Sequence, residues 1–261
     1  MEKNFYSFTL NTIKNHSLAL NIAKLETTVK YRRTLIGNFW IVLTYLITVS
    51  IISVIWSIVM NVPYLDYFAK VFLGFTSFYL ILSFTAQATD ILFLQYKGLL
   101  LSLGIKLNNV LSIYLLTKFL EFIQFIPMYI IIIFLADVEI TLTNLLFIPG
   151  LILVFLNGYW ITFIISISCA RFRDLGMLIT AIMSASILLT PILWDKDQLG
   201  KYENLVYLNP FTCMIESIRD PLLGIDVNPF IYLQLILFLV VGFIMSDLIY
   251  RYSRKKINFW I

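Results

Sequence analysis

Ionisable side chains are sparse within the apolar stretches of this 261-residue chain, and their spacing limits the chemistry open to it. Lys118 and Glu121 stand three apart in an apolar segment, so a helix there puts both on one face, where they can pair. Asp247 lies near the end of the last apolar stretch. Charge inside a membrane is a functional hypothesis by default, but the i, i+3 spacing favours a structural ion pair near the inner leaflet. No isolated acid sits at mid-depth, as an ion-coupled carrier would require. The single histidine, His16, reads as a solvated surface residue rather than a ligand or proton carrier. Cys169 and Cys213 fall on opposite membrane faces in the topology below, so neither an intrachain disulfide nor a metal site is expected. The sequence holds no Gly-x-x-x-x-Gly-Lys-Ser/Thr phosphate loop, His-Glu-x-x-His metal motif or Gly-x-Ser-x-Gly elbow, so no fuel-burning or hydrolytic site is visible.

The elements that must position these residues are membrane helices. The chain is 60% hydrophobic, 13% charged and has a mean hydropathy of +0.89; soluble domains average about 25% charged. A bilayer core of about 30 Å needs about 20 apolar residues per helical crossing. Spans are therefore expected near residues 35–60, 68–88, 109–135, 144–167, 177–194 and 229–250. The fifth is short and ends at Thr190-Pro191, which suggests a helix that stops early or continues as a re-entrant piece.

Charge sets the orientation. Lys3, Lys14, Lys24, Lys30, Arg32 and Arg33 precede span one, Lys97 and Lys106 separate spans two and three, Arg171 and Arg173 separate four and five, and Arg251, Arg254, Lys255 and Lys256 follow span six. The opposite loops are rich in Asp and Glu, so both termini are expected in the cytosol. The net charge of +4 is a topology signal and gives no nucleic-acid inference. No signal peptide is expected, because the first 30 residues lack an apolar core and a small-residue cleavage site.

Three segments outside the spans carry further expectation. Within residues 5–33, Leu18, Ile22, Leu25 and Val29 recur at helical spacing, predicting a helix in the plane of the inner interface, either as a lipid anchor or beside the mouth of a pathway. The run Asp90 to Gly104 is too apolar for free solvent and too polar at Asp90, Gln95 and Lys97 for lipid. It reads as a short helix for a groove on a cytosolic subunit, or as a continuation of span two. Residues 195–228 hold Pro210, Pro221 and Gly224 around the apolar run Phe211-Thr212-Cys213-Met214-Ile215, predicting one or two re-entrant or interfacial helices. Trp194, Tyr202, Tyr207 and Phe211 would lie at headgroup depth, as an interfacial belt or in contact with substrate.

Four runs in register with six spans resemble the ABC-2-type permeases that export bacterial surface polysaccharides. They are Lys30-Tyr31-Arg32-Arg33-Thr34-Leu35-Ile36-Gly37-Asn38-Phe39-Trp40, Ala170-Arg171-Phe172-Arg173-Asp174-Leu175, Thr190-Pro191-Ile192, and Asn209-Pro210 followed by Glu216 and Arg219. Such permeases often carry a proline early in span one, where this chain has Thr44-Tyr45.

The resemblance implies an all-α membrane protein with an N-terminal amphipathic interface helix (1–34) and a six-span transmembrane domain (35–261). Within the latter it implies a coupling helix at about 89–104 and external gate helices at about 195–228, before the last span. It further implies a homodimer in the bacterial inner membrane, driven by two copies of a separate ATPase that holds ATP and Mg, with no cofactor in this chain and a lipid-linked polysaccharide, O-antigen foremost, as cargo. By the same resemblance, Asp90, Gln95, Tyr96, Lys97, Arg171, Arg173 and Asp174 would couple to the ATPase. Tyr31, Arg32 and Arg33 would flank the cytosolic entrance, where paired arginines suit a pyrophosphate, although positive-inside charge accounts for them equally well. Asn209, Pro210, Glu216 and Arg219 would form the external gate.

A glycan has apolar C–H faces on each sugar, so aromatic rings can hold it loosely while it slides. Tyr45 and Trp56 in span one, Phe78 and Tyr79 in span two, and the external Trp194, Tyr202, Tyr207 and Phe211 are the candidates for that lining, each also compatible with lipid contact or helix packing. Two other classes share parts of the pattern. An ABC-2 exporter of a drug or lipid would keep the spans and the missing ATPase. A secondary carrier would show inverted repeats, and no similarity is visible between residues 35–135 and 144–250.

Overall fold

The computed structural model describes Phe5, residues 16–102 and residues 105–260. Residues 1–4 and 6–15 of the expected interface domain, with Lys3 and Lys14, lie outside the described residues, as does Gly104 of the expected docking segment. Among the described residues there is no strand.

In chain order the helices are α1 (His16–Lys30), α2 (Trp40–Met60), α3 (Tyr64–Phe84), α4 (Lys97–Leu101), α5 (Leu107–Ile123), α6 (Ile126–Leu135), α7 (Phe147–Arg171), α8 (Asp174–Leu189), α9 (Pro210–Leu222), α10 (Pro229–Ser253) and α11 (Ile257–Trp260). Among the described residues five helical stretches are long and apolar enough to cross a bilayer: Gly37–Met60, Tyr64–Asp90, Leu107–Leu135, Leu142–Arg171 and Pro229–Ser253. The fifth expected span is α8, apolar but only 16 residues long, or about 24 Å at 1.5 Å per residue. It stops where Thr190 turns extended before Pro191. The third span is broken at Gln124-Phe125 ahead of Pro127, which ends one run of backbone hydrogen bonds and starts the next as α5 and α6. α2 runs unbroken through Thr44-Tyr45.

α3 lies at the centre, with nearly every side chain from Tyr67 to Phe84 buried, and packs against α2, α7 and α9. Close approach to α7 follows from its sequence. Gly150, Val154, Gly158, Thr162 and Ser166 recur every fourth residue and are all buried, forming a narrow small-residue face. A Cβ at Gly150 would lie 2.2 Å from the Ser217 carbonyl oxygen of α9, and one at Gly158 would lie 2.5 Å from the Phe84 ring of α3.

α9 occupies the space so created. The expectation placed this stretch as a re-entrant or interfacial piece, and the structure seats it inside the bundle, with every residue from Thr212 to Leu222 buried against α3, α7 and α10. Its start and that of α10 share one device. Asn209 and Asn228 each precede Pro-Phe, and each side-chain oxygen accepts from the amide two residues on, Phe211 and Phe230, at 3.0 Å. These are N-caps with proline at the first helical position.

α1 shows two faces. Ala19, Ala23 and Thr27 are buried against α5, whereas Leu18, Leu25 and Val29 point outward. The apolar residues picked out by spacing are thus mostly free for lipid, and the small ones dock on protein.

Candidate functional site

The inner half of the bundle is organised around one carboxylate. Glu121, 1% exposed, takes Lys118 Nζ on Oε2 at 2.8 Å, as the i, i+3 spacing predicts. It also takes two partners that spacing could not show. Lys30 Nζ of α1 reaches Oε1 at 2.8 Å, and the Tyr79 hydroxyl of α3 donates to Oε2 at 2.5 Å. One turn earlier on α1, Glu26 Oε2 accepts from the Tyr96 hydroxyl at 2.7 Å and from Thr117 Oγ1 at 3.1 Å. The interface helix is therefore tied to α3, to α5 and to the inner loop by charge-assisted bonds. Burial draws the Lys30 pKa down, but the bond to Glu121 outweighs it and the group sits above its ordinary value.

The expected docking helix is instead three short turns: a 3₁₀ turn at Ala86–Asp90, a π turn at Ile91–Gln95, and α4. Asp90, Gln95 and Lys97 are exposed, together with Leu94. Tyr96 turns inward, 1% exposed, with its hydroxyl on Glu26, so unlike Asp90, Gln95 and Lys97 it is not at the surface. The start of α8 packs on Ala86–Asp90, which brings Asp174, exposed in the first turn of α8, onto the same side of the fold. An acid there complements the helix dipole. Arg171 faces elsewhere, its guanidinium stacked on Tyr252 and Trp260 near the chain's end, and Arg173 is exposed.

At the entrance, Tyr31 is half-buried and Arg32 and Arg33 are exposed, in a turn where Arg33 takes a positive φ of 73°.

At the opposite end Glu216 is fully buried, and by geometry neither oxygen has a hydrogen-bond partner among the described residues, the Tyr207 hydroxyl being a neighbour that only weakly favours its charged form. Lys196 and Arg219 each approach Oε1 at 3.8 Å. Arg219 is committed to Asp220 Oδ1 at 2.7 Å and to the Pro191 carbonyl at 2.5 Å. Burial first, then the Asp220 charge, push the Glu216 carboxyl up to about 7, despite the two nearby cations. Lys70, which sequence reasoning passed over, pairs with Asp195 and binds α3 to the outer loop. Asn209 and Pro210 act as the start of α9.

The aromatic candidates do not form one lining within a single chain. Phe78 and Tyr79 are buried in the core, and Tyr45 packs edge-on against Tyr79 and Phe125, both at 5.5 Å between ring centres. Trp56 is partly buried against the same core. Trp194 Nε1 donates to the Leu188 carbonyl at 3.0 Å, Tyr207 accepts from Lys196 Nζ at 2.7 Å, and Tyr202 is exposed. Phe211 joins Trp160, Ile182, Met183, Met214 and Phe238 around an apolar cavity of about 310 Å³.

The structure thus has one end tied to a loop with exposed polar groups, helices long and apolar enough to cross a membrane, and a short helix, α9, buried among them. None of the curated proteins compared matches the sequence. The family described as ABC-2 type transporter matches residues 20–223. With most of its length matched, the chain belongs to the ABC-2 type transporter family, as a multi-pass membrane permease.

Proposed function

We propose that this permease exports a lipid-linked polysaccharide, O-antigen foremost, from the cytosol across the bacterial inner membrane. Two copies enclose the pathway, two copies of a separate ATPase supply the work, and both termini lie in the cytosol. The family match over residues 20–223 carries the permease part of this reading. The glycan part is supported by the exposed Arg32-Arg33 pair at the end of α1, suited to a pyrophosphate. It is further supported by the shape of α2 and α8. Both are largely uncovered in one chain, and both carry exposed hydroxyls, Thr44 and Thr48 on α2 and Thr180 and Ser184 on α8. A second copy meeting these faces would give a wall of hydroxyls with Tyr45 and Trp56 close behind.

On this reading the surface around Asp90, Gln95, Lys97 and Asp174 receives the push of the ATPase. Glu26 and Glu121 pass it to α1, and the plug α9 yields at the outer end. One observation favours another cargo: the all-apolar cavity beside Phe211 and Trp160 would suit a hydrophobic drug or lipid.

The test is purification of the chain with its ATPase and reconstitution in vesicles. Lipid-linked glycan should raise ATP hydrolysis and appear on the far side, and Arg32→Gln with Arg33→Gln should weaken that response. Stimulation by hydrophobic dyes and not by glycan would favour the second cargo. Uphill transport by the chain alone on a proton or sodium gradient would overturn the ATP-driven reading.

A further inference from the structure

Where α7 and α10 end together, two cations converge on one ring. Arg171 closes α7, with Nη1 donating to the Tyr252 hydroxyl at 3.1 Å and its guanidinium 4.8 Å from the Phe172 ring, 5.6 Å from Tyr252 and 5.4 Å from Trp260. Lys256 Nζ stands 4.3 Å from the same Tyr252 ring. Three rings hold the guanidinium at a fixed place, which removes much of the entropy that an exposed arginine normally loses on binding.

The nearby acid, Asp247, is taken by Arg251 at 2.6 Å, and among the described residues neither Arg171 nor Lys256 forms an ion pair. Both are exposed, and Lys255 adds to the positive field. Like charges held together in this way call for an anion. A phosphate fits best, since it can accept two parallel bonds from one guanidinium.

The surroundings indicate which phosphate. The cluster sits where two membrane-crossing helices end, hence at headgroup depth. Tyr252 and Trp260 are side chains of the interfacial belt, and Phe259, 89% exposed, offers an apolar surface beside them. A protein partner would leave that ring unexplained at the membrane boundary, whereas acyl chains cover it.

We propose that Arg171 and Lys256, set around Tyr252, bind the phosphate of an anionic phospholipid of the inner leaflet. The site does not depend on which cargo is exported, so its failure and that of the glycan reading are separable.

The test uses the full chain, purified with its membrane lipids and exchanged into micelles holding phosphatidylglycerol and phosphatidylcholine, with retained lipid counted by native mass spectrometry. Phosphatidylglycerol should be retained preferentially, and Arg171→Gln and Lys256→Gln should each weaken retention about fivefold. Lys24→Gln, removing an inner-face charge on α1, should change it little. Arg171→Lys, which keeps the charge and loses the fork, should fall between, and guards against misfolding of the glutamine variant. Equal losses from Lys24→Gln and Lys256→Gln would reduce the site to a diffuse field and overturn the proposal. So would displacement of the lipid by millimolar inorganic phosphate, which would indicate a free-anion site. Unchanged lipid with loss of a co-purifying ATPase would assign the cluster to protein docking instead, again overturning it.

Discussion

Glu121 and Glu216 are equally hidden from solvent, yet one is saturated with partners and the other has none at bonding distance. Glu121 receives two ammonium groups and a phenol from three helices. Glu216 has two cations held 3.8 Å away, one of them committed to Asp220. Burial of charge costs several kcal/mol per ion unless paired geometry repays it. The inner site meets that condition and clamps helices together. The Glu216 site falls short of it, so α9 is seated on a less complete set of polar contacts than α1. An exporter that keeps its outer end shut and its inner end responsive to a motor would gain from that asymmetry, since the weaker joint opens first.

Removing the clamp should have the largest effect. Glu121→Ala leaves Lys118 buried without a partner and should lower stability by about 3–5 kcal/mol, seen as a fall in the detergent melting temperature. A fall as small as that of an exposed ion pair would erase the contrast.

The outer carboxyl should respond to pH. Its folded pKa of about 7 exceeds the ordinary 4.5, so between these values the folded protein holds more protons than the unfolded chain. Stability should then decline as pH rises from about 4.5 to about 7, by about 3 kcal/mol in all, and level off above. Glu216→Gln should flatten that slope and raise the melting temperature at pH 8. A wild-type profile flat from pH 5 to 7 would show that Lys196 and Arg219 pair with Glu216 after all.

The seat of the plug can be loosened without touching either acid. Gly150→Ala places a methyl against the Ser217 carbonyl and should cost about 1–3 kcal/mol through backbone displacement. ATP hydrolysis should persist while vesicles become leaky. The smallest effect is expected from Tyr96→Phe, which removes one bond to Glu26 while Thr117 keeps the other. A loss of about 1 kcal/mol is expected, with transport falling more than hydrolysis if the inner loop drives α1 through this contact.

Much of the framework could be read from local sequence. Apolar runs located the crossing helices, Thr190-Pro191 marked the early stop of α8, and the Lys118–Glu121 spacing named half of the inner clamp. The other half, Lys30 and Tyr79, comes from helices 91 and 42 residues away, a juxtaposition that only packing creates. Tyr96 was a docking residue only by resemblance; it follows the π turn at Ile91–Gln95 and is buried, a placement that packing decides. The burial of α9 depends on the glycine and hydroxyl stripe of α7, whose four-residue repeat was present in the sequence and was not used. Lys70 was missed because span two was read for its apolar content, so its outer-loop partner Asp195 went unnoticed.

α8, at about 24 Å, is shorter than a hydrocarbon layer of about 30 Å, and the chain past its end is held by protein: Arg219 caps the Pro191 carbonyl and the Tyr67 hydroxyl donates to that of Leu193. The difference of about 6 Å is a hydrophobic mismatch that lipid or neighbouring protein must take up. The bilayer around this chain thus has its least covering helix at α8, a mismatch built into the resting fold and needing no movement to arise.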